Sequence, residues 1–417
     1  MGRLMKNIFL SVVNKLNGNF TAVFLFFVPI FLISDLNASV LSGLDVMIQQ
    51  DFAQFAGKKA AIVTNHTGVD ASGRSSVDDL FNSRNVKLKA IFSPEHGFRG
   101  TASDGDQIEN STDPVTGLPI YSLYGKTLRP TAAMLAGIDV IFFDIQDVGA
   151  RFYTYLTTMA LCMEEAAKRK IDFVVLDRPN PITGTVLEGS VLAPSVQEFT
   201  GYFPVSVRHG LTPGEVALLH KDLRGLDLSL TVIKLRGWDR TMYYDETGLK
   251  WVNPSPNIRG VDAAIMYPGI GCFESTNMSV GRGTDSPFMW FGAPWLDAQR
   301  LAAALTASGM AGVRFYAEDR TPSKDAYAGR LCHGIRIEIT DRASVRPMDI
   351  FVRAVCALRD KRYYGEFRVR ENELRLMAGN NVYKAIYESR DSPEKILADF
   401  ADQCRDFDRY RAQYLLY

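Results

Sequence analysis

The sequence predicts an α/β fold in which a parallel sheet carries helices on both faces, followed by a smaller α+β domain. Two observations carry this prediction. Short apolar runs alternate with amphipathic segments over the first half of the chain, and the sequence becomes rich in Pro, Gly, Ser and Asn near residues 250–290. Strands buried on both faces of a parallel sheet are apolar throughout, and crossover helices separate them. We therefore predict one domain over 39–262 and a second over 263–417.

Four apolar runs predict the strands of the sheet. They lie at 60–63, 88–92, 140–143 and 173–176. Between the last two, apolar residues recur at helical spacing from Tyr155 to Ala167, and basic residues follow at the end that a helix dipole favours. Another helix is expected after Thr212, because proline takes its first position and Glu215 completes a capping box.

Three further elements are predicted beyond the boundary. We expect an amphipathic segment near 295–308, a strand at 334–339, and a terminal helix that begins after Ser392 and carries apolar residues on one face. Because a strand and helices mix there without a regular alternation, this half is predicted to be α+β.

The first 38 residues have the composition of a secretory signal. Three basic residues precede the apolar run 22–33, and small residues follow at Ala38 and Ser39. The run is short for a membrane span and contains Pro29. We expect cleavage near Ala38, no integral membrane span afterwards, and an exported protein that is periplasmic or secreted.

Composition and missing motifs argue against several classes of function. The 47 basic and 47 acidic residues give no electrostatic reason to expect a nucleic-acid partner. The five cysteines show neither a CxxC pair nor Cys/His metal spacing, so we expect buried structural thiols and no metal. No GxGxxG follows the first strand, and neither a Walker motif nor a GxSxG elbow occurs, so we expect no cofactor. No pattern indicates an oligomeric state.

Polar side chains follow all four predicted strands. The residues at these strand ends include Asn65, Glu95, His96, Asp144, Asp147, Arg178 and Asn180. Because the carboxyl ends of parallel strands meet at one edge of a sheet, we expect a binding site there. Carboxylates without a cofactor or metal indicate acid/base chemistry, and glycoside hydrolysis is the commonest use of a carboxylate pair of this kind.

Eight segments carry a resemblance to a known family. They are TNHTG at 64–68, SPEHG at 93–97, TGLPIYSLYG at 116–125, DIQDVGARFYTY at 144–155, LDRPNP at 176–181, RHGLTPGE at 208–215, WVNPSPN at 251–257 and ESTNMSVGRGT at 274–284. With them the chain resembles the exo-acting β-N-acetylmuramidases of the NamZ type, also called DUF1343 or glycoside hydrolase family 171. One departure is Ser275, where the family usually shows glycine; another is Arg259-Gly260.

The resemblance implies a Rossmann-like first domain without a nucleotide, a smaller second domain, and a cleft between them. It implies release of single N-acetylmuramic acid residues from the non-reducing end of peptidoglycan fragments, so peptidoglycan-derived saccharides are the expected partners. It also makes Glu95 the leading catalytic candidate. We expect Glu95 to act as a general acid/base, and His96 either orients it or is a structural histidine.

The second catalytic carboxylate stays open between three residues, which are Asp144, Asp147 and Glu274. Asp144 could instead brace a loop, and Asp147 could pair with Arg151 on a helix surface. Glu274 would reach the cleft only if its loop folds over it. A route in which the acetamido group of the substrate attacks also stays open.

The lactyl carboxylate of N-acetylmuramic acid calls for an arginine, whose fork matches it at two points. The candidates are Arg99, Arg151, Arg178 and Arg282, and Asp147 is grouped with the binding residues. Tyr153 is a candidate for stacking on a sugar, and Asn65, Asn180 and Asn277 for bonding hydroxyl or acetamido groups. Each of them also fits a structural role. Two alternative functions remain, a hexosaminidase that prefers N-acetylglucosamine and a non-catalytic muropeptide-binding protein.

Overall fold

The structure is a computed structural model that describes residues 39–95, 97–98 and 109–417. Three sequence-based predictions fall outside these residues: the secretory signal, the orienting role of His96 and the lactyl-binding role of Arg99. Within the described ranges, no helix is long and apolar enough to cross a membrane.

A seven-stranded sheet forms the centre of the chain up to residue 260. Its strands are β1 Lys59–Thr64, β2 Lys87–Ser93, β3 Ser111–Thr112, β4 Pro119–Ser122, β5 Val140–Asp144, β6 Asp172–Leu176 and β7 Leu230–Ile233. Their order is β3-β4-β2-β1-β5-β6-β7, and every neighbouring pair is parallel except β3 and β4. The four predicted strands and the parallel sheet are therefore confirmed. Strand β4, next to the edge strand β3, and the edge strand β7 are short and half-buried, so they lack the apolar runs that mark the four predicted strands.

Helices cover both faces of this sheet. They are α1 Gly43–Ile48, α2 Ser76–Asn82, α3 Tyr155–Arg169 and α4 Pro213–Leu223. Successive strand residues point to opposite faces, so Phe142 packs with the residues of α1 and α2 while Phe143 packs with those of α3 and α4. The predicted capping box is present, because the Thr212 hydroxyl accepts from the Glu215 amide and the Glu215 carboxylate accepts from the Thr212 amide.

A smaller antiparallel sheet lies in the C-terminal part of the chain. The elements are α5 Val261–Ile270, β8 Trp290–Ala293, α6 Ala298–Ala307, β9 Val313–Arg320, β10 Cys332–Ile339, α7 Pro347–Leu358, α8 Glu371–Met377 and α9 Pro393–Arg411. The strand order is β8-β10-β9. The predicted elements near 295–308, at 334–339 and after Ser392 correspond to α6, β10 and α9, which confirms an α+β arrangement.

One Pro/Gly-rich segment differs from its interpretation as irregular boundary sequence. Residues 267–271 lie in α5 and the 3-10 turn that follows it, and α5 is almost entirely buried. Gly269 is needed there because a Cβ atom would come within 2.0 Å of the Pro347 carbonyl oxygen. The glycine therefore permits close packing of two helices instead of marking a loop.

One continuous apolar core joins the two parts of the chain. The residues on the α3 side of the large sheet pack onward into α5, the small sheet and α7, and residues Ser39–Tyr417 form a single compact unit. All five cysteines are buried and free, which confirms the prediction of buried structural thiols. The two parts are therefore joined by a shared hydrophobic core at the base of any cleft between them.

Candidate active site

A cavity of about 320 Å³ opens where the loop after β2 meets the start of α3 and the C-terminal part. Its charged lining residues are Glu95, Glu274, Arg282 and Glu373. Its aromatic lining residues are Tyr124, Phe152, Tyr153, Phe199, Tyr267 and Phe288. Another cavity, of about 480 Å³ between α9 and residues 190–193, contains none of the predicted site residues. The smaller cavity is thus where two of the predicted carboxylates, Glu95 and Glu274, are found.

Glu95 follows the end of β2 and faces the N-terminus of α3. The Thr154 hydroxyl donates a hydrogen bond of 2.6 Å to Glu95 Oε2. Thr154 is the N-cap residue of α3, yet its side chain makes no capping bond to its own helix. Glu95 is therefore fixed in position at the cavity wall by the Thr154 hydroxyl.

The charge of Glu95 also acts on a neighbouring tyrosine. Burial is the main reason that the pKa of Tyr124 is well above its usual range, and the Glu95 carboxylate raises it further through its charge and a hydrogen bond. Tyr124 consequently stays a neutral phenol. Its hydroxyl is a second donor available to Glu95.

Glu274 brings a second carboxylate into the same cavity from the 3-10 turn after α5. Arg282 Nε donates a hydrogen bond to Glu274 Oε1, and the Arg282 guanidinium lies 5.3 Å from the centroid of the Phe288 ring. Burial raises the pKa of Glu274 to about 8, and the nearby carboxylates of Asp325 and Glu95 act in the same direction. The pKa of Glu274 is raised although the positively charged Arg282 and Arg370 are close. Glu274 therefore carries a proton at neutral pH.

Asp144 and Arg178 do not reach this cavity. Arg178 Nε and Nη2 donate to the two Asp144 oxygens at 2.6 and 2.9 Å, and Nη2 also donates to the Val69 carbonyl. Both side chains are buried. Asp144 and Arg178 bond to each other at the ends of β5 and β6, outside the lining of the cavity, which favours the structural role weighed for them over the catalytic and lactyl-binding ones.

Asn65 and Asp147 brace loops at the same edge of the sheet. Asn65 Oδ1 accepts from the amide and the hydroxyl of Thr67. Asp147 Oδ2 accepts from the Gly149 amide at 2.7 Å. Both are buried and lie outside the lining of the cavity. The turn is a common use of Asn and the structural role weighed for Asn65. The helix-surface pair weighed for Asp147 and Arg151 is wrong, because both side chains are buried and Arg151 donates to backbone carbonyls.

Arg151, Asn180 and Asn277 also hold backbone. Arg151 is buried and donates to the carbonyls of Ser190, Val205 and Met377. Asn180 donates to the Leu211 carbonyl, and Asn277 bonds to the backbone of residues 366 and 368. None of the three lines the cavity. Arg151 still bears on it, since Met377 is a wall residue at the end of α8.

Tyr153 lies in the aromatic wall. Its ring centroid is 5.9 Å from that of Tyr267, which in turn is 4.7 Å from Phe288 and 5.1 Å from Phe152. These contacts are edge-to-face, so the rings fix one another while one surface remains toward the cavity. The wall offers an apolar surface of the kind on which the C–H face of a sugar packs.

Thr154, Tyr267 and Glu373 are cavity residues that the sequence analysis missed. Thr154 could have been found, because it directly precedes the predicted helix and is placed as its N-cap. Tyr267 lay in the segment interpreted as irregular. Ser275, in the position of a family glycine, sits in the 3-10 turn and donates to the Cys272 carbonyl at 2.7 Å, so no unusual backbone angle is required of it.

Comparisons with known proteins agree with this architecture. Residues 60–262 match the family model described as the N-terminal part of exo-beta-N-acetylmuramidase NamZ, and residues 265–417 match its C-terminal counterpart. The peptidoglycan beta-N-acetylmuramidase NamZ of Bacillus subtilis (strain 168) is 40% identical over 379 residues, which cover 91% of each chain. Two crystal structures of DUF1343 family proteins from Bacteroides fragilis NCTC 9343 superpose with TM-scores of 0.84 and 0.74, at 35% and 30% identity. Each alignment covers 91% of this chain and 99% of the other. The chain belongs to the NamZ family of exo-β-N-acetylmuramidases.

Proposed function

We propose that this protein is an exo-acting glycosidase that releases N-acetylmuramic acid from the non-reducing end of peptidoglycan fragments. The observation that carries the proposal is the meeting of Glu95 and Glu274, from different parts of the chain, in one cavity. Glycosidases need two such carboxylates on either side of the scissile bond. The Bacillus subtilis relative is named for action on peptidoglycan, which supports the choice of polymer.

The two carboxylates take different roles because their surroundings differ. Glu274, with its pKa of about 8, donates its proton to the glycosidic oxygen as the bond from that oxygen to the anomeric carbon breaks. The Glu95 carboxylate, positioned by the Thr154 hydroxyl, faces the positive charge that develops on the sugar. Water then adds to the anomeric carbon, and its proton returns to Glu274.

Arg282 is the proposed partner of the lactyl carboxylate. Among the described residues that line the cavity it is the only cation. A protonated Glu274 leaves the guanidinium charge available to an anionic substrate. This preference separates the proposal from a hexosaminidase that favours N-acetylglucosamine, which has no carboxylate to recognise.

We also propose that the protein acts outside the cytoplasm. The support is the basic, apolar and small-residue order of the first 38 residues. The polymer that the proposed activity needs lies outside the cytoplasm as well. Detection of the mature protein in a periplasmic or culture fraction, with a new N-terminus near Ser39, tests this.

Chromogen release from aryl β-N-acetylmuraminide and aryl β-N-acetylglucosaminide tests the activity. Wild type is expected to cleave the muramic substrate selectively. Glu95→Gln is expected to lose at least a hundredfold in kcat/KM, because an amide cannot stabilise the developing positive charge. The matched control is Glu371→Gln, an exposed residue of α8 outside the cavity.

Other outcomes would select the alternatives. Equal release from both sugars would indicate the hexosaminidase and remove the role of Arg282. If wild type released neither chromogen but bound the natural disaccharide in calorimetry, and Glu95→Gln bound it equally, the protein would be a muropeptide-binding protein.

A further inference from the structure

The cavity of about 480 Å³ beside α9 is separate from the candidate active site. Its lining residues come from 190–193, from 380–391 and from the face of α9 between Lys395 and Gln403. Among the described residues, none lines both this cavity and the one that holds Glu95 and Glu274. We call this space the α9 cavity. Its volume lies within the range of small-molecule sites, about 300–1,000 Å³.

One wall of the α9 cavity is formed by a π-helical turn, Lys384–Glu388. Lys384 and Ala385 in this turn and Ser389 directly after it line the cavity. Arg390 follows with a left-handed backbone, φ 53°. Turns of the π-helical kind are rare and frequently occur at functional sites, and left-handed residues other than glycine cost free energy. Both irregularities indicate a role for this wall beyond packing.

The walls of the α9 cavity are tied to one another. The Val191 amide donates to Gln403 Oε1 at 2.9 Å, which joins the loop 190–193 to α9. The Ser190 hydroxyl donates to the Ala378 carbonyl at 2.7 Å, which joins the same loop to the segment before the π-helical turn. The cavity is therefore formed without a ligand, and a ligand that enters it loses little free energy to ordering of the protein.

Charges of both signs border the α9 cavity. Lys384 and Asp399 line it, and within the described part of the chain neither makes an ion pair. Asp399 Oδ2 accepts from Gln403 Nε2 at 2.7 Å, which leaves Oδ1 for another donor. Lys395, by contrast, is paired with Asp391 at 2.7 Å. A free cation and a free carboxylate at one cavity favour a ligand that carries both charges, whereas a neutral sugar has no charge to pair with them.

The buried part of the α9 cavity is apolar. Val382, Ile396 and Phe400 line it and are almost inaccessible to solvent. The side-chain amide of Asn381 also lines it and forms no hydrogen bond among the described residues. Small apolar side chains of a peptide suit the first surface. The backbone N–H and C=O groups of a peptide suit the Asn381 amide, which both donates and accepts.

The dimensions of the cavity limit the length of its ligand. The face of α9 from Lys395 to Gln403 is about 12 Å long at a rise of about 1.5 Å per residue. An extended peptide advances about 3.3–3.6 Å per residue, so three residues span about 10 Å. The N-terminal turn of α9 favours the carboxylate end of such a ligand, and Asp399, one turn further along, favours an ammonium group.

We propose that the α9 cavity binds a short peptide, about three residues long, that carries free ammonium and carboxylate groups. The peptide stems of peptidoglycan have this chemistry. Binding of such a peptide does not depend on the proposed glycosidase activity, whereas the choice of peptidoglycan as its source rests on the proposed function.

Calorimetry with two tripeptides tests this. One is the stem tripeptide L-alanyl-γ-D-glutamyl-meso-diaminopimelate, and the other is L-alanyl-L-alanyl-L-alanine. We expect the stem tripeptide to bind wild type, and its affinity to fall at least about tenfold in Ala193→Trp, whose side chain fills the cavity. Lys384→Gln should weaken binding about threefold, the effect of one exposed ion pair. Ala401→Trp, exposed on α9 but outside the lining, is the matched control and keeps the wild-type affinity.

The outcomes separate this inference from the proposed function. No binding of either tripeptide, or binding that Ala193→Trp and Lys384→Gln leave unchanged, would overturn the inference even if muramic substrates are cleaved. Displacement of the stem tripeptide by the neutral trisaccharide of N-acetylglucosamine would also overturn it, and would assign the cavity to a sugar. Equal affinity for the two tripeptides would retain a peptide site and overturn peptidoglycan as its source. Stem-tripeptide binding without any turnover would overturn the proposed function and retain the peptide site.

Discussion

Two arginine–carboxylate pairs of this protein were both candidates for the site, and they differ in how far the fold exposes them. Asp144–Arg178 joins the ends of two neighbouring strands, and its side chains are 0% and 3% exposed. Glu274–Arg282 lies in the C-terminal part, and its side chains are 26% and 13% exposed. The first pair uses both carboxylate oxygens within the pair. The second lines the cavity that Glu95 also lines.

This difference shows that access, more than pairing, separates a functional charge from a structural one. A buried pair whose hydrogen bonds are all internal stabilises its neighbours only while both partners remain. A pair that borders a cavity still has donor and acceptor atoms that a ligand can reach. The pKa of its carboxyl group can be shifted without destabilising the hydrophobic core.

The largest effect is expected from Glu274→Gln. Removing the proton donor should lower kcat on the disaccharide N-acetylmuramyl-β-1,4-N-acetylglucosamine by roughly 10²- to 10⁴-fold, the usual contribution of general acid catalysis. Hydrolysis of β-N-acetylmuraminyl fluoride should fall far less, because fluoride leaves without a proton. Steady-state kinetics on both substrates measure the contrast. Equal losses on the two would show that Glu274 is not the acid.

Asp144→Asn should act on stability instead of catalysis. The substitution leaves the buried Arg178 without its counter-charge, which should lower the free energy of unfolding by about 3–5 kcal/mol. Urea unfolding followed by fluorescence measures this, and kcat of the folded enzyme is expected to stay near wild type. The double variant Asp144→Leu/Arg178→Met should be less destabilised than the single one. A stable but inactive Asp144→Asn would place this pair in the reaction.

Thr154→Val tests a single hydrogen bond at Glu95. A hydrogen bond to a charged group contributes about 1.5–3 kcal/mol, so kcat/KM should fall roughly 10- to 100-fold. Thr157→Val on the same helix is the control, since within the described chain the Thr157 hydroxyl has no hydrogen-bond partner. If both variants behaved alike, the loss would reflect the helix and not Glu95.

The smallest expected effect is on the pH dependence of kcat. Glu274 donates a proton only below its raised pKa of about 8, so kcat on the disaccharide should decline as pH rises through about 8. Asp325→Asn removes one of the carboxylates that raise this pKa, so the decline should move to lower pH by a fraction of a unit. The charges of Arg282, Arg370, Glu95 and Glu373 remain around Glu274. A decline at the same pH in Glu274→Gln would assign it to another group.

Much of the fold followed from sequence periodicity. The four central strands and α3, α4 and α9 carry uninterrupted apolar patterns or capping residues, and these survive folding because local and tertiary preferences agree. The helix at Pro268 and Gly269 could not be predicted from periodicity, because both residues disfavour helices. Packing against α7 nevertheless holds Pro268 and Gly269 in α5. Tertiary burial overrode the local signal there.

The candidate site was predictable in part, from the polar residues at the strand ends and not from periodicity. Strand-end polarity drew attention to Glu95, which lines the cavity. The same signal marked Asp144, Arg178 and Asn180, whose side chains bond to other buried groups of the protein. Glu274 was named only as one of several carboxylates, because no local pattern shows that its turn shares a cavity with Glu95. Whether a polar side chain is bonded within the protein or lines the cavity depends on contacts between segments that are distant in the sequence.

The continuous core beneath the cleft has a consequence for when activity can begin. Glu95 is supplied before α5 and Glu274 after it, and the cavity walls meet only once both parts are packed together. A nascent, truncated or proteolysed chain that contains only the first part holds Glu95 without Glu274 or the C-terminal half of the cavity lining. On the proposed mechanism the reaction is silent until both parts have folded, so cleavage of a muramic substrate would report completed folding.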